Sequence, residues 1–361
     1  MRLRLEPRAA ASQRMRYASP LIAAALTLLT GFVLFAVLGK DPLAAFHAFF
    51  IAPINTVNGL AELFLKASPL VLIAIGLAVG FRGNVWNIGA EGQLTIGAIV
   101  GGGLALLPFA AQGVWVLPLI IVAGAVGGMA WAAIPAWLRT RFNTNEILVS
   151  LMLTYVAQLL LSYLVHGPWR DPQGFNFPQS QPLTDAALLP VLLEGTRLNA
   201  SVLLALVAVG VAWLFLNKSF QGYQMRVTGL SDAAARFAGF SAKRTVWIGM
   251  LAGGATAGLA GVSEVAGPLG QLLPTVSPGY GFAAIIVAFV GRLNPVGILF
   301  AGLLMSLLYL GGDAAQITMG LPAATSSLFQ GALLFFLLGA DVFIGYRIRL
   351  VRGSHLAKAV A

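Results

Sequence analysis

The sequence predicts an all-α, polytopic integral membrane protein of about ten transmembrane helices, with both termini in the cytoplasm. Hydrophobic residues make up 58% of the 361 positions and charged residues only 9%, whereas soluble domains carry roughly 25% charged residues. Long apolar runs recur along the whole chain, and basic residues collect in every second connection between them. Together these observations predict a single transmembrane domain over residues 1–361.

The apolar runs are the candidate membrane spans. They cover residues 20–38, 69–81, 88–107, 114–138, 146–166, 198–216, 245–266, 281–291, 295–311 and 325–344. The second and eighth runs are shorter than the roughly 20 residues that a straight membrane helix needs. They are predicted to be broken or tilted helices, unless their true bounds extend by several residues.

The formal net charge is +10, and the distribution of the basic residues indicates the membrane topology. With the N-terminus inside, most of the 22 Lys and Arg residues fall in predicted cytoplasmic segments; the exceptions are Lys40, Lys66, Arg170 and Arg197. The positive-inside rule therefore supports cytoplasmic termini, and the same distribution argues against nucleic acid as a partner. On this topology the long loop 166–199 is external.

Polar residues interrupt the apolar pattern between residues 81 and 95. Asn84, Asn87, Glu91, Gln93 and Thr95 stand there among glycines. A charge inside a span should face protein or water, and a broken helix is tolerated where its free backbone is buried or lines a cavity. Two interpretations stay open: the break shapes a translocation pathway, or its polar side chains hold neighbouring helices together.

A second interruption, bounded by Gly and Pro, lies at residues 278–297. Paired interruptions in two halves are consistent with an inverted repeat of broken helices around a pathway. Amide and aromatic side chains near both breaks could accommodate a nucleobase or a sugar ring. The residues predicted to line the pathway are Asn84, Trp86, Asn87, Glu91, Gln93, Phe282 and Phe289.

The basic loop 217–244 carries a short predicted helix. Ser231 and Asp232 are suitable caps for its start, the alanines 233–235 favour helix, and Gly239 is suited to end it. A short helix on the cytoplasmic face of a membrane domain is a shape that fits into a soluble partner. The loop therefore predicts the membrane half of a two-part machine.

Several kinds of chemistry have no support in the sequence. The histidines, His47, His166 and His355, are scattered, and the chain contains no cysteine, so no metal site or catalytic residue is predicted. The phosphate-binding pattern Gly-x-x-x-x-Gly-Lys-Ser/Thr does not occur. The chain is therefore not expected to be an enzyme, and it needs an external source of energy.

Four motifs, in order along the chain, carry a resemblance to a known family. They are residues 87–93 (Asn-Ile-Gly-Ala-Glu-Gly-Gln), 142–146, 229–240 and 291–295. Together they resemble permease subunits of bacterial ABC importers in the nucleoside and simple-sugar branch, which are related to ribose and branched-chain amino acid permeases. The resemblance extends from about Leu60 to Leu338.

This resemblance implies a subunit of about ten helices in a bacterial cytoplasmic (inner) membrane, paired with a second, identical or different permease around a central pathway. It also implies an external substrate-binding protein and a cytoplasmic ATPase that binds ATP and Mg²⁺, so that this chain holds no cofactor. The region from about Ser231 to Phe240 would be the coupling helix that contacts the ATPase. The residues that would match the coupling-loop pattern of such permeases or contact the ATPase are Gly229, Ser231, Asp232, Ala233, Ala234, Arg236, Gly239 and Phe240. Arg236 and Phe240 would anchor the helix in the ATPase.

The alternative interpretation is an ion-coupled secondary transporter of a small polar solute. Such a protein would also have broken helices, and it would need an ionisable group at the middle of the membrane, for which Glu91 is the candidate. A secondary transporter has no need of a basic cytoplasmic helix that docks onto an ATPase. Loop 217–244 therefore favours the importer.

Overall fold

A computed structural model describes residues 2–8, 12–111 and 113–351. The predicted cytoplasmic residues Arg352 and Lys358, together with His355, lie outside the described residues. In chain order the elements are β1 (Arg2–Pro7), α1 (Gln13–Val37), α2 (Pro42–Phe46), α3 (Val57–Arg82), α4 (Ala90–Ala105), α5 (Val116–Phe142), α6 (Glu146–His166), α7 (Ser201–Lys218), α8 (Phe220–Leu230), α9 (Asp232–Phe237), α10 (Ala242–Glu264), α11 (Tyr280–Val290), α12 (Pro295–Met319), α13 (Ala324–Gly345) and β2 (Tyr346–Val351). Turns of π-helix follow α2 at His47–Ile51 and α10 at Val265–Leu269.

The prediction of an all-α polytopic membrane protein is confirmed. Each of the ten predicted apolar runs contains an α-helix, and the described part of the chain has 8 helices long and apolar enough to cross a membrane. The remaining two runs form α4 and α11, with 16 and 11 residues. Both are shorter than a straight crossing requires.

The predicted bounds of the second span were wrong. Residues 69–81 are only the C-terminal half of α3, whose 26 residues begin at Val57. Thr56 caps this start by accepting a hydrogen bond from the backbone nitrogen of Gly59. Polar residues in the first three turns, such as Glu62 and Lys66, hide the helix from a search for apolar runs. The second span is therefore long, and the short helices are those of the third run, α4, and the eighth run, α11.

The chain divides into two compact units. One contains Met1–Ile51 and Gly311–Ala361, and the other contains Ala52–Leu310. The predicted single domain over residues 1–361 stays a prediction. Every candidate site residue lies in the second unit.

Glycines allow close helix packing in the second unit, where α10 contacts α3, α4 and α5. A Cβ atom on Gly254 would lie 2.5 Å from the carbonyl oxygen of Gly128, and one on Gly249 would lie 2.9 Å from the Cα atom of Gly80. Small residues at such contacts let helix backbones approach closely in lipid, where hydrophobicity does not drive association. The glycine-rich α10 therefore forms the centre of this unit.

The first unit contains an aromatic core and a terminal sheet. Phe329 of α13 packs 4.7 Å from Phe49 and 5.8 Å from Phe35, measured between ring centroids, and all three side chains are buried. Strands β1 and β2 pair antiparallel, from Arg2 opposite Val351 to Pro7 opposite Tyr346. The sheet, which the sequence did not predict, brings the two ends of the described chain together.

Candidate functional site

The N-termini of the two short helices, α4 and α11, meet at Glu91. This residue lies in the first turn of α4 and is 2% exposed. One of its carboxylate oxygens accepts a hydrogen bond from the backbone nitrogen of Gly281 in the first turn of α11, at 2.6 Å. The Ser277 side chain is a second hydrogen-bond partner of the carboxylate. Because helix N-termini favour negative charge, the carboxylate joins the two helix starts.

The loop before α11 is shaped to present these donors. The Ser277 hydroxyl oxygen accepts hydrogen bonds from the backbone nitrogens of Gly279 and Tyr280, at 3.1 Å and 2.8 Å. These two hydrogen bonds hold Ser277 against the start of α11. Gly281 has no room for a side chain, because a Cβ atom there would overlap the backbone of Glu91.

The amides of Asn87 and Gln93 close the break before α4. Asn87 Nδ2 donates to Gln93 Oε1 at 2.8 Å, and Gln93 Nε2 donates back to Asn87 Oδ1 at 3.0 Å. The backbone nitrogen of Gly89 also donates to Asn87 Oδ1, at 3.1 Å. Both side chains are buried. This pairing satisfies polar groups of an irregular backbone, which would be costly if left unpaired in a membrane.

Glu146 attaches the same break to α5 and α6. Its carboxylate accepts a hydrogen bond from the backbone nitrogen of Trp86 at 3.3 Å and forms an ion pair with Arg139 at the end of α5. Glu146 is also the first residue of α6. The cap is Asn145, whose side chain accepts from the backbone nitrogen of Ile147, and the motif Asn-Thr-Asn-Glu was the available signal for the additional role.

An aromatic cluster lies beside the break. Phe289 of α11 stacks on Phe81 and Trp86, with ring centroids 5.3 Å and 5.9 Å away. The Trp86 indole nitrogen donates to Asn84 Oδ1 at 2.9 Å. The cluster connects the end of α3, the break and the end of α11.

The seven predicted pathway residues thus occupy three places. Asn84, Trp86 and Phe289 meet in the aromatic cluster, while Asn87, Glu91 and Gln93 are buried and hydrogen-bonded at the helix starts. Phe282 is exposed on the first turn of α11, next to Gly281. Both interpretations of the break retain support, and contact with a substrate stays a prediction.

The predicted helix in loop 217–244 is present as α9, with the expected ends. The Ser231 side chain accepts a hydrogen bond from the backbone nitrogen of Ala234. Asp232 and Arg236, one turn apart, form an ion pair. Ala233 and Ala234 are exposed, and Gly239 ends the helix with a φ of 78°, which suits glycine. We call α8 and α9 together the α8–α9 segment.

Phe240, the aromatic anchor that the resemblance implies, is only partly exposed. Phe240 packs against Phe220 and Tyr223, with ring centroids 6.0 Å and 6.3 Å away. Phe237 is 97% exposed. The sequence does not indicate Phe237, because the turn at Gly239 determines whether Phe237 or Phe240 packs against the subunit. The predicted contacts with an ATPase stay a prediction.

The α8–α9 segment touches the chain at the break. A Cβ atom on Gly229 would overlap the carbonyl oxygen of Arg82, the last residue of α3, and would lie 3.4 Å from the backbone nitrogen of Asn84. Arg82 Nε in turn donates to the carbonyl oxygen of Leu293, at 3.0 Å, in the connection after α11. A displacement of the segment would therefore push directly on the ends of α3 and α11.

Comparison with known proteins decides the family. The family model for the permease component of branched-chain amino acid transport systems matches residues 59–338. The chain belongs to this permease family. The match covers every motif on which the resemblance depended.

Several ABC transporter permease proteins are similar in sequence to this permease. It is 37% identical to the glucose ABC transporter permease protein TsgB13 of Haloferax volcanii, over 96% of this chain and 93% of the relative. It is 30% identical to the guanosine ABC transporter permease protein NupP of Bacillus subtilis, over 93% and 95%. It is 28% identical to the nucleoside ABC transporter permease protein NupB of Lactococcus lactis, over 88% and 89%. No solved structure matches the chain.

The comparisons confirm the predicted ABC importer permease subunit in a multi-pass membrane protein. As a permease it is a transport component rather than an enzyme, and the ATPase activity belongs to a separate subunit. The family implies association with an ATPase and a substrate-binding protein. In the described residues, no group of three or more His, Asp or Glu side chains is placed to hold a metal ion.

Proposed function

We propose that this permease takes up nucleosides or simple sugars, and that its α8–α9 segment transmits the movement of a cytoplasmic ATPase to the two broken helices. The observation that carries the proposal is the contact of Gly229 with the end of α3, next to the break. It gives a short mechanical route from an exposed cytoplasmic helix to the helix starts at Glu91.

The surface of the α8–α9 segment supports docking of a protein. Leu230 and Phe237 are 80% and 97% exposed, and Phe220 and Tyr223 are also exposed. A group of large apolar side chains on a water-facing segment indicates an interaction site. Basic residues, including Arg226 and Arg236, flank it. Phe237 is the aromatic anchor of this surface, and Phe240 supports the segment from within the subunit.

The two breaks support a pathway of inverted repeats. After α3, residues 83–89 lead to the short helix α4, and after α10, residues 270–279 lead to the short helix α11. The two short helices meet start to start at Glu91. This arrangement fits alternating access, in which two halves move against each other around a fixed site.

The terminal sheet supports cytoplasmic termini. The pairing of β1 with β2 supports both ends of the described chain on one side of the membrane, and thus an even number of crossings. The distribution of basic residues supports the cytoplasm as that side. Relatives in Bacillus subtilis and Lactococcus lactis are consistent with a bacterial inner membrane.

The partners follow from this role. ATP and Mg²⁺ bind to the ATPase, a second permease of the same or another kind completes the pathway, and a binding protein delivers the substrate to the external face. Loop 166–199 is part of that face. The relatives' names, which refer to glucose, guanosine and nucleosides, support nucleosides or simple sugars as the substrate class.

Uptake of radiolabelled nucleosides and glucose in cells with and without this gene tests the proposal, with ribose and galactose as competitors. We expect uptake to be lost in cells without this gene and also in cells without the ATPase gene. Uptake that survives deletion of the ATPase and collapses with the proton gradient would support the ion-coupled alternative. Against that alternative, Glu91 already accepts hydrogen bonds within the subunit.

A further inference from the structure

A cleft of about 740 Å³ opens beside α9, between the end of α5 and the start of α10. Its lining includes four basic side chains, those of Arg139, Arg141, Arg236 and Lys243. The acidic residue in the lining is Asp232. All of these elements belong to the second unit, so the cleft is a feature of one compact body.

The cleft carries a surplus of positive charge. Arg139 pairs with Glu146, and Arg236 pairs with Asp232. Within the described part of the chain, no hydrogen bond or ion pair engages the side chain of Arg141 or Lys243. Two cations, one near the end of α5 and one near the start of α10, therefore line the cleft, and no described residue of the subunit pairs with either.

Aromatic residues indicate the depth of the cleft in the membrane. Trp137 and Phe142, near the end of α5, are 51% and 60% exposed, and their rings pack edge to face at 5.4 Å between centroids. Tryptophan concentrates at membrane–water interfaces. Trp137 lies one helical turn before Arg141, on the same side of α5. Arg141 is thus at the level of the lipid headgroups.

We propose that this cleft binds the phosphate headgroup of an anionic phospholipid from the cytoplasmic leaflet. Arg141 and Lys243 donate to the phosphate oxygens, and the exposed rings of Trp137 and Phe142, which lie outside the cleft lining on the end of α5, contact the glycerol and the upper acyl chain. Basic pockets between membrane helices on the cytoplasmic side suit such headgroups. The proposal goes beyond the uptake function and shares with it only the orientation in the membrane.

Native mass spectrometry of the purified full-length permease tests the site, with phosphatidylglycerol and phosphatidylcholine titrated separately. The test variant is R141Q/K243Q. The matched control is R226Q/R244Q, which removes the same charge from exposed cytoplasmic positions outside the cleft lining. We expect phosphatidylglycerol affinity to fall about tenfold or more in the test variant alone, with phosphatidylcholine binding unchanged. The variant R141K/K243R should retain binding, which separates loss of charge from misfolding.

Three results would overturn the proposal. Equal losses in the test and control variants would mean general attraction of lipid to a basic surface. Competition by free glycerol phosphate at the concentration of the lipid would mean a site for soluble phosphate. Release of the lipid on addition of the ATPase would mean that acidic residues of the ATPase occupy the cleft. If the test variant loses its preference for phosphatidylglycerol over phosphatidylcholine but still takes up substrate, the lipid site is separate from the proposed transport function.

Discussion

Glu91 shows how a single residue can organise the break in this permease. Its carboxylate is buried, yet it accepts a hydrogen bond from the start of one short helix while standing in the first turn of another. A lipid-facing carboxylate would be costly in a membrane, whereas two helix N-termini stabilise it. The charge is therefore compatible with a structural role at the centre of the proposed pathway.

Gly281 is the position where this junction is most sensitive to volume. We expect Gly281→Ala to destabilise the subunit by about 1–3 kcal/mol, because the added methyl group overlaps the backbone of Glu91. The measurement is the thermal unfolding temperature of the purified protein. The matched control is Gly210→Ala in α7, where, apart from the adjoining backbone of the same helix, no atom of the described residues lies within 4 Å of the added Cβ. Equal unfolding temperatures for the two variants would contradict the proposed tight contact.

At the scale of elements, the α8–α9 segment combines an inner and an outer face. Ala235 and Met225 are buried, and Met225 packs with Val79 of α3 and Leu216 of α7. Phe237 and Leu230 face outward. The segment is therefore fixed to the end of α3 and presents an apolar surface outward. Both properties are needed in an element that transmits movement from a partner.

Phe237 at the end of α9 and Phe240 just after it should behave differently on truncation. We expect Phe237→Ala to weaken ATPase binding by at least about 2 kcal/mol, or about thirtyfold, as for a central interface residue, without changing the unfolding temperature. Phe240→Ala should lower the unfolding temperature, because it removes the contacts with Phe220 and Tyr223. Binding of the purified ATPase and thermal unfolding measure the two effects. The reverse pattern would restore Phe240 as the anchor.

Gly229 tests transmission rather than docking. Gly229→Ala forces α8 away from the carbonyl oxygen of Arg82, so we expect the ATPase to bind normally while substrate uptake per ATP hydrolysed decreases several-fold. The measurement compares uptake and ATP hydrolysis in proteoliposomes that contain the complete transporter. Gly210→Ala again serves as the control. Unchanged coupling in Gly229→Ala would remove this contact from the route.

For the whole molecule, sequence reasoning succeeded where local patterns determine the structure. Apolar runs located all ten main helices, and the Ser231 cap and the Gly239 turn located α9. Glycine-rich polar segments located both breaks. Each of these features depends on residues within a few positions of one another, so periodicity and capping rules are sufficient to find it.

Features that depend on distant residues could not be predicted. The start of α3 was missed because its polar residues are covered by other parts of the unit, as Glu62 is by Arg197. The hydrogen bond between Glu91 and Gly281 joins positions 190 residues apart. The choice between Phe237 and Phe240 depends on packing against α8. The terminal sheet pairs the two ends of the chain and has no local signal.

The central claim is that the α8–α9 segment docks onto the ATPase through Phe237, and the absence of cysteine from the chain permits a direct measurement. Phe237→Cys is labelled with a membrane-impermeant maleimide in inside-out vesicles, with and without the ATPase subunit. The comparison variants are Arg226→Cys on α8 and Leu159→Cys, exposed on the transmembrane helix α6, which gives the background of thiols that the reagent cannot reach. We predict that the ATPase protects Cys at position 237 strongly and at position 226 less, whereas position 159 stays unlabelled with and without the ATPase. Equal labelling of position 237 with and without the ATPase would contradict the account.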